Sequence, residues 1–177
     1  VDGKLVAENI SFLTPVSKIN NFVMRTENET VGRYEMDSLK IYRGYKVFEN
    51  FSLSSLNIPD DWENVVGTAR IYDTMLELNG NKKVRKTYTR EKRKTVTEFY
   101  LYMPSGREGF KVSINDGDKR IGGISSTNEG FAYFSGNSPS EEFYKQLPNV
   151  MYNFRLETDF ENHSMDVFMN NRLMKSG

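Results

Sequence analysis

Cysteine is absent from the 177 residues, and histidine and tryptophan occur once each, as His163 and Trp62. Without cysteine the chain has no disulfide framework and no thiolate zinc or iron–sulfur centre. One histidine excludes a multi-histidine metal site within one chain. No apolar run approaches the roughly 20 residues of a membrane-spanning helix. No glycine-rich loop precedes a helix and a lysine, as phosphate binding by such a loop requires. No nucleophile elbow supports Ser–His–Asp catalysis. An excess of either charge is missing too: 24 Lys+Arg balance 24 Asp+Glu. That neutrality argues against a general nucleic-acid or membrane binder unless the charge is segregated.

What is present is a period of two. Phe110, Val112 and Ile114 alternate with Lys111, Ser113 and Asn115. Phe99, Leu101 and Met103 alternate with Glu98, Tyr100 and Tyr102; Tyr152, Phe154, Leu156 and Phe160 alternate with Asn153, Arg155, Glu157 and Asp159. Alternation of this kind marks strands with one face in a core. Turn clusters separate them, among them Asn79-Gly80-Asn81, Asn115-Asp116-Gly117-Asp118 and Ser135-Gly136-Asn137. Short strands at this spacing predict an all-β sandwich or barrel in one domain spanning residues 1–177. The only helical signal is one short turn over Ser140 to Tyr144, capped by Ser138 or Ser140.

The two ends resemble each other. Met169-Asn170-Asn171-Arg172-Leu173-Met174-Lys175 reads like Val1-Asp2-Gly3-Lys4-Leu5-Val6-Ala7, each a strand, a two-residue turn and a strand. One reading is that hairpins look alike. The other is a tandem repeat cut out of phase, a piece of a larger protein. On the second reading residues 1–45 supply closing strands to a sandwich built from 46–177, or complete a neighbouring chain as a swapped dimer.

Read in that permuted order, several segments resemble the concanavalin-A-like (laminin-G-like) jelly-roll domains of bacterial carbohydrate-active proteins. Val47-Phe48-Glu49-Asn50-Phe51 and Ile58-Pro59-Asp60-Asp61-Trp62 look like the opening; Tyr152 to Asp159 looks like the strand that usually begins with Trp. Asp166 to Leu173 resembles the family's late hairpin, and Tyr34 to Tyr42 its closing strand. The resemblance implies a two-sheet antiparallel jelly roll whose concave face holds sugars. It implies an extracellular or cell-surface setting beside other domains. It also implies a structural calcium ion, with Asp37 and Glu49 as ligands.

The residues must choose among the family's functions. A glycoside hydrolase needs two carboxylates about 5–9.5 Å apart. Glu157 and Asp159, at i and i+2 on one strand, fit that spacing but also fit a solvated strand end. His163 sits in a turn, with no partner motif for a lyase. The strongest local signal is Lys82 to Lys94, with eight basic residues and one acid. It reads either as a cationic strand facing an anionic glycan or as a solvated hairpin whose lysines blunt an edge. On the first reading Arg85, Lys86 and Arg90 hold acid groups and Tyr88 stacks on a ring. Glu98, Tyr100 and Tyr102, on the polar side of their strand, form a second candidate sugar platform, and Trp62 a third. The expectation is a non-catalytic module binding a polysaccharide, an anionic one favoured, and neither nucleic acid nor a membrane. The alternatives are a lyase or hydrolase of the same fold and a structural spacer of a surface protein.

Overall fold

Residues that alternate between apolar and polar fold as strands, because successive side chains point to opposite faces. The computed structural model describes residues 5–11, 19–26, 33–42, 47–49, 51, 57–91, 94–104, 109–136 and 141–176. Among them there is no helix and there are sixteen strands. In chain order these are β1 (Leu5–Ser11), β2 (Ile19–Thr26), β3 (Arg33–Tyr42), β4 (Val47–Glu49), β5 (Trp62–Val66), β6 (Arg70–Tyr72), β7 (Met75–Asn79) and β8 (Lys83–Glu91). There follow β9 (Thr95–Met103), β10 (Phe110–Asp116), β11 (Lys119–Ser126), β12 (Phe131–Ser135), β13 (Glu141–Tyr144), β14 (Val150–Asp159), β15 (Ser164–Met169) and β16 (Arg172–Ser176).

The strands form two sheets, the all-β sandwich that the period of two predicts. The nine-stranded sheet runs β1-β16-β15-β14-β9-β3-β7-β6, with β4 beside β3. The seven-stranded sheet runs β13-β12-β11-β10-β2-β8-β5. Every pairing is antiparallel except β1 with β16. Residues 1–45 enter both sheets. β1 pairs with β15 and β16, so the two ends meet at one hairpin. β2 lies between β10 and β8, and β3 between β9 and β7, so both are interior strands.

Aromatic rings join the sheets. Phe22 of β2 meets Phe99 of β9 edge-on at 5.7 Å, and Phe99 stacks on Phe154 of β14 at 5.6 Å. Phe154 meets Phe131 of β12 at 5.0 Å, which returns the contact to the seven-stranded sheet. Each ring is fully buried, and truncation of any one to alanine carries the usual core cost of about 3–5 kcal/mol. The apolar sets read from the alternation of β9, β10 and β14 all lie in this core.

The turns follow from local chemistry. Asn170 and Asn171 both take positive φ, 49° and 59°, the type I′ geometry of a two-residue hairpin. Asp73 and Thr74 do the same between β6 and β7, at 50° and 63°. Thr74 is β-branched, so this turn stores strain. The segment read as a helical turn is instead strand β13: Glu141 pairs with Tyr133, Glu142 with Ala132 and Tyr144 with Phe131. Pairing along the open edge of β12 satisfies its backbone, and the aromatic pair Phe143-Tyr144 favours a strand. Ser138 and Ser140, named as its caps, lie outside the described residues.

The turn after β14 is held by Asp159. Its Oδ1 accepts from the backbone N–H of Glu161 and Asn162 at 3.0 and 3.1 Å, and its Oδ2 accepts from Asn162 Nδ2. Lys94 Nζ is 3.0 Å from the same Oδ2. Burial pushes the Asp159 carboxyl up, but the bonds from Lys94 and Asn162 outweigh it and hold the group below the usual carboxylate range. A depressed folded value stabilises the protein above the unfolded value of about 3.9, and that stability is lost as pH falls through the folded value. Asp159→Ala is therefore expected to cost about 1–2 kcal/mol at pH 7. Denaturant titrations should show the difference from the parent shrinking as the pH falls below about 3.9.

Candidate functional site

The basic strip lies on β8, and the pleat divides it. Val84, Lys86 and Tyr88 are buried on the face that joins the core, while Lys83, Arg85 and Thr87 lie on the other. Lys86 Nζ pairs with Asp61 and lies 5.7 Å from the centre of the Trp62 ring. Trp62 packs edge-on against Phe22 at 6.2 Å and Phe51 at 5.5 Å, and is only 5% exposed. Trp62, Lys86 and Tyr88, named as sugar contacts, therefore face inward. The signal was present in the sequence: they share the β8 inner face, or pack against it, with apolar Val84. The side chain of Arg90 lies outside the described set.

Arg85 faces outward and has company that the sequence does not reveal. The register sets one row of partners across the seven-stranded sheet: Glu63, Arg85, Val23, Ser113, Gly123 and Phe134. A parallel row holds Lys83, Arg25 and Lys111. Short side chains at Val23 and Ser113 leave a depression between longer neighbours. It encloses about 380 Å³ and is lined by Val23, Arg25, Lys83, Arg85, Ser113 and Asn115, with the β10–β11 turn closing one side. From that turn and the start of β11 come Asp118, Lys119 and Arg120, so five cations face one carboxylate, a net charge of +4.

The carboxylates nearby are peripheral. Asp118 Oδ1 lies 3.5 Å from Arg85 Nη2 but its side chain is 95% exposed. Glu63 Oε2 lies 3.7 Å from Arg85 Nε. Arg85 Nε and Asn115 Oδ1 are buried and hydrogen-bond to no described residue. Burial, then the charges of Arg85 and Arg25, push the Lys83 ammonium below its ordinary value; Asp118 opposes them. These like charges repel one another across the depression, and an incoming anion relieves that repulsion.

Lys83 belongs to the basic strip read from the sequence, whereas Arg25, Lys119 and Arg120 were not singled out. Arg25 and Lys119–Arg120 reach Arg85 only through the order β11-β10-β2-β8, which no local pattern encodes.

Glu98, Tyr100 and Tyr102 stand together, on the outer face of the other sheet. Asn153 Nδ2 donates to Glu98 Oε1 at 3.0 Å, and the Tyr102 hydroxyl donates to Asn149 Oδ1 at 3.3 Å. Arg85 and the tyrosines thus occupy opposite sides of the sandwich and do not form one site. On the tyrosine side Glu35 and Glu77 are register partners, both buried, with Arg70 Nη2 at 3.1 and 3.2 Å from the two oxygens of Glu77.

The catalytic spacings carry ordinary roles. Glu157 is ion-paired with Arg155 at 3.2 Å, and Asp159 holds its turn. Among the described residues no group of three or more histidine, aspartate or glutamate side chains gathers as a metal requires. The side chains of Asp37 and Glu49 are outside that set; their strands pair, with Glu49 opposite Leu39. No described helix is long and apolar enough to cross a membrane. The chain matches no family model, no curated protein and no solved structure.

The Lys83 environment is open to direct measurement. Its ammonium, followed by NMR of the side-chain carbon, should titrate below about 10.4. Arg85→Ala should raise that midpoint, and Asp118→Asn should lower it further.

Proposed function

We propose that this chain is a non-catalytic carbohydrate-binding module that holds an anionic polysaccharide in the cationic depression of the seven-stranded sheet. The observation that carries this reading is the concentration of five cations around about 380 Å³ of polar cavity in a chain of zero net charge. Like charges gathered at one face raise the free energy of the empty site, and an acid group relieves that repulsion. Arginine offers a planar fork of donors to carboxylate or sulfate, lysine a mobile point charge. Ser113 and Asn115 supply neutral polar contacts to hydroxyls. No bond is broken; affinity comes from charge neutralisation and hydrogen bonds.

The resemblance to concanavalin-A-like jelly rolls supports the same reading. With it come an extracellular or cell-surface setting within a larger carbohydrate-active protein, and a structural calcium ion. Pairing of β4 with β3 puts Glu49 opposite Leu39, two positions from Asp37, so the backbone brings both acids to one region. Calcium takes six to eight oxygens, so backbone carbonyls would supply the remainder.

Two measurements test this reading. On an array of neutral, uronate and sulfated polysaccharides, retention should be confined to the acidic polymers and should fall as salt rises. Arg85→Ala should weaken it about ten-fold or more, whereas Lys86→Met, on the inner face, should leave it within about two-fold. Equal retention of neutral polymers, or an inert Arg85→Ala, would sink the proposal. For calcium, chelation should lower the melting temperature; an unchanged melting curve would remove the ion from this account.

A further inference from the structure

We infer that the depression receives the end of an acidic chain, a terminal sugar or disaccharide, and not the chain's interior. This rests on the anionic-glycan reading and adds which part of the polymer is recognised.

The floor is the row Arg85, Val23, Ser113 and Gly123, which crosses four neighbouring strands. At about 4.8 Å between strands that row is about 14 Å long. A chain interior lying along this row must pass beyond both of its ends, and each end of the row carries an obstacle. At the Gly123 end the obstacle is steric. Phe134 is the cross-strand partner of Gly123, and a Cβ added at Gly123 would lie only 2.9 Å from Phe134 Cζ. The ring therefore lies over the glycine. It is 2% exposed on the outer side of the sheet, away from the core cluster. Lys111 Nζ and Arg120 Cζ lie 5.2 and 5.6 Å from its centre. Along this row the lining of the depression includes Ser113 but neither Gly123 nor Phe134; it reaches the end of β12 only off the row, at Gly136 beside Arg120 and the β10–β11 turn.

At the other end the obstacle is electrostatic. Glu63 is the cross-strand partner of Arg85, with a side chain 60% exposed. An acidic chain leaving over β5 would carry its next acid group past that carboxylate. A terminal unit avoids both obstacles, because it has only to enter. The volume agrees: 380 Å³ is near the lower end of the about 300–1,000 Å³ range of small-molecule pockets.

The test is calorimetry with two size ladders, oligogalacturonates and sulfated oligosaccharides, each from monosaccharide to octasaccharide. The expected result in the ladder that binds is an affinity that stops rising at the disaccharide, with one protein per chain at every length. Affinity that keeps climbing, or several proteins on one octasaccharide, would overturn chain-end recognition and leave anionic-glycan binding standing. No heat with any member of either ladder would overturn both, as would equal binding of oligothymidylate. Phe134→Ala, or Phe134→Leu if alanine does not fold, removes the block above Gly123. The octasaccharide should then gain about ten-fold over the disaccharide, and a folded variant with no such gain would overturn the part given to Phe134.

Discussion

A run of aromatic contacts passes back and forth between the two sheets, and the exposed surfaces are arranged around it. From Phe51 it runs through Trp62, Phe22, Phe99, Phe154 and Phe131 to Tyr152, each ring touching the next within 6.2 Å. Such rings remove large apolar areas from water and lock in edge-to-face geometry. Because Phe22 is pinned inward, β2 must show Val23 and Arg25 on its other face. Because Phe131 is pinned inward, Phe134, three residues on, falls outside. The cationic depression and the Phe134 ring beside Gly123 are thus what remains on the far side of a fixed core.

The same logic explains how Lys86 is accommodated. A lysine on the inner face of β8 places a charge next to the core, where isolation is costly. Asp61 supplies the counter-charge, and Trp62 offers the face of its ring. Among its described side chains the strand thereby carries one cation that serves the interior and two, Lys83 and Arg85, that serve the surface.

Much of the fold was legible in the sequence. The alternation in β9, β10 and β14 named their core residues, and Asn170-Asn171 announced its hairpin, because period and turn chemistry are local. Strand β13 was missed, since a short run such as Glu141 to Tyr144 takes its conformation from the edge it pairs with. The site was half legible. Alternation separated Arg85 from Lys86, but only Val84 says which of the two faces the core. Arg25, Lys119 and Arg120 were invisible as partners, because cross-strand neighbours are set by sheet order. Trp62 was open to two readings, a sugar contact or a ring packed under the sheet edge, and its burial at 5% exposure agrees with the second.

The segregation of charge has a consequence at distances where no contact is yet made. The chain has zero net charge and +4 on the lining of the depression, so an excess of −4 is carried elsewhere. Such a chain feels no net pull in a uniform field. On the proposed anionic-glycan reading, a polyanionic surface would draw the cationic depression toward itself before contact, within the roughly 8 Å over which physiological salt leaves charges visible. Orientation would then begin ahead of docking, without the indiscriminate adhesion that an overall positive charge would bring.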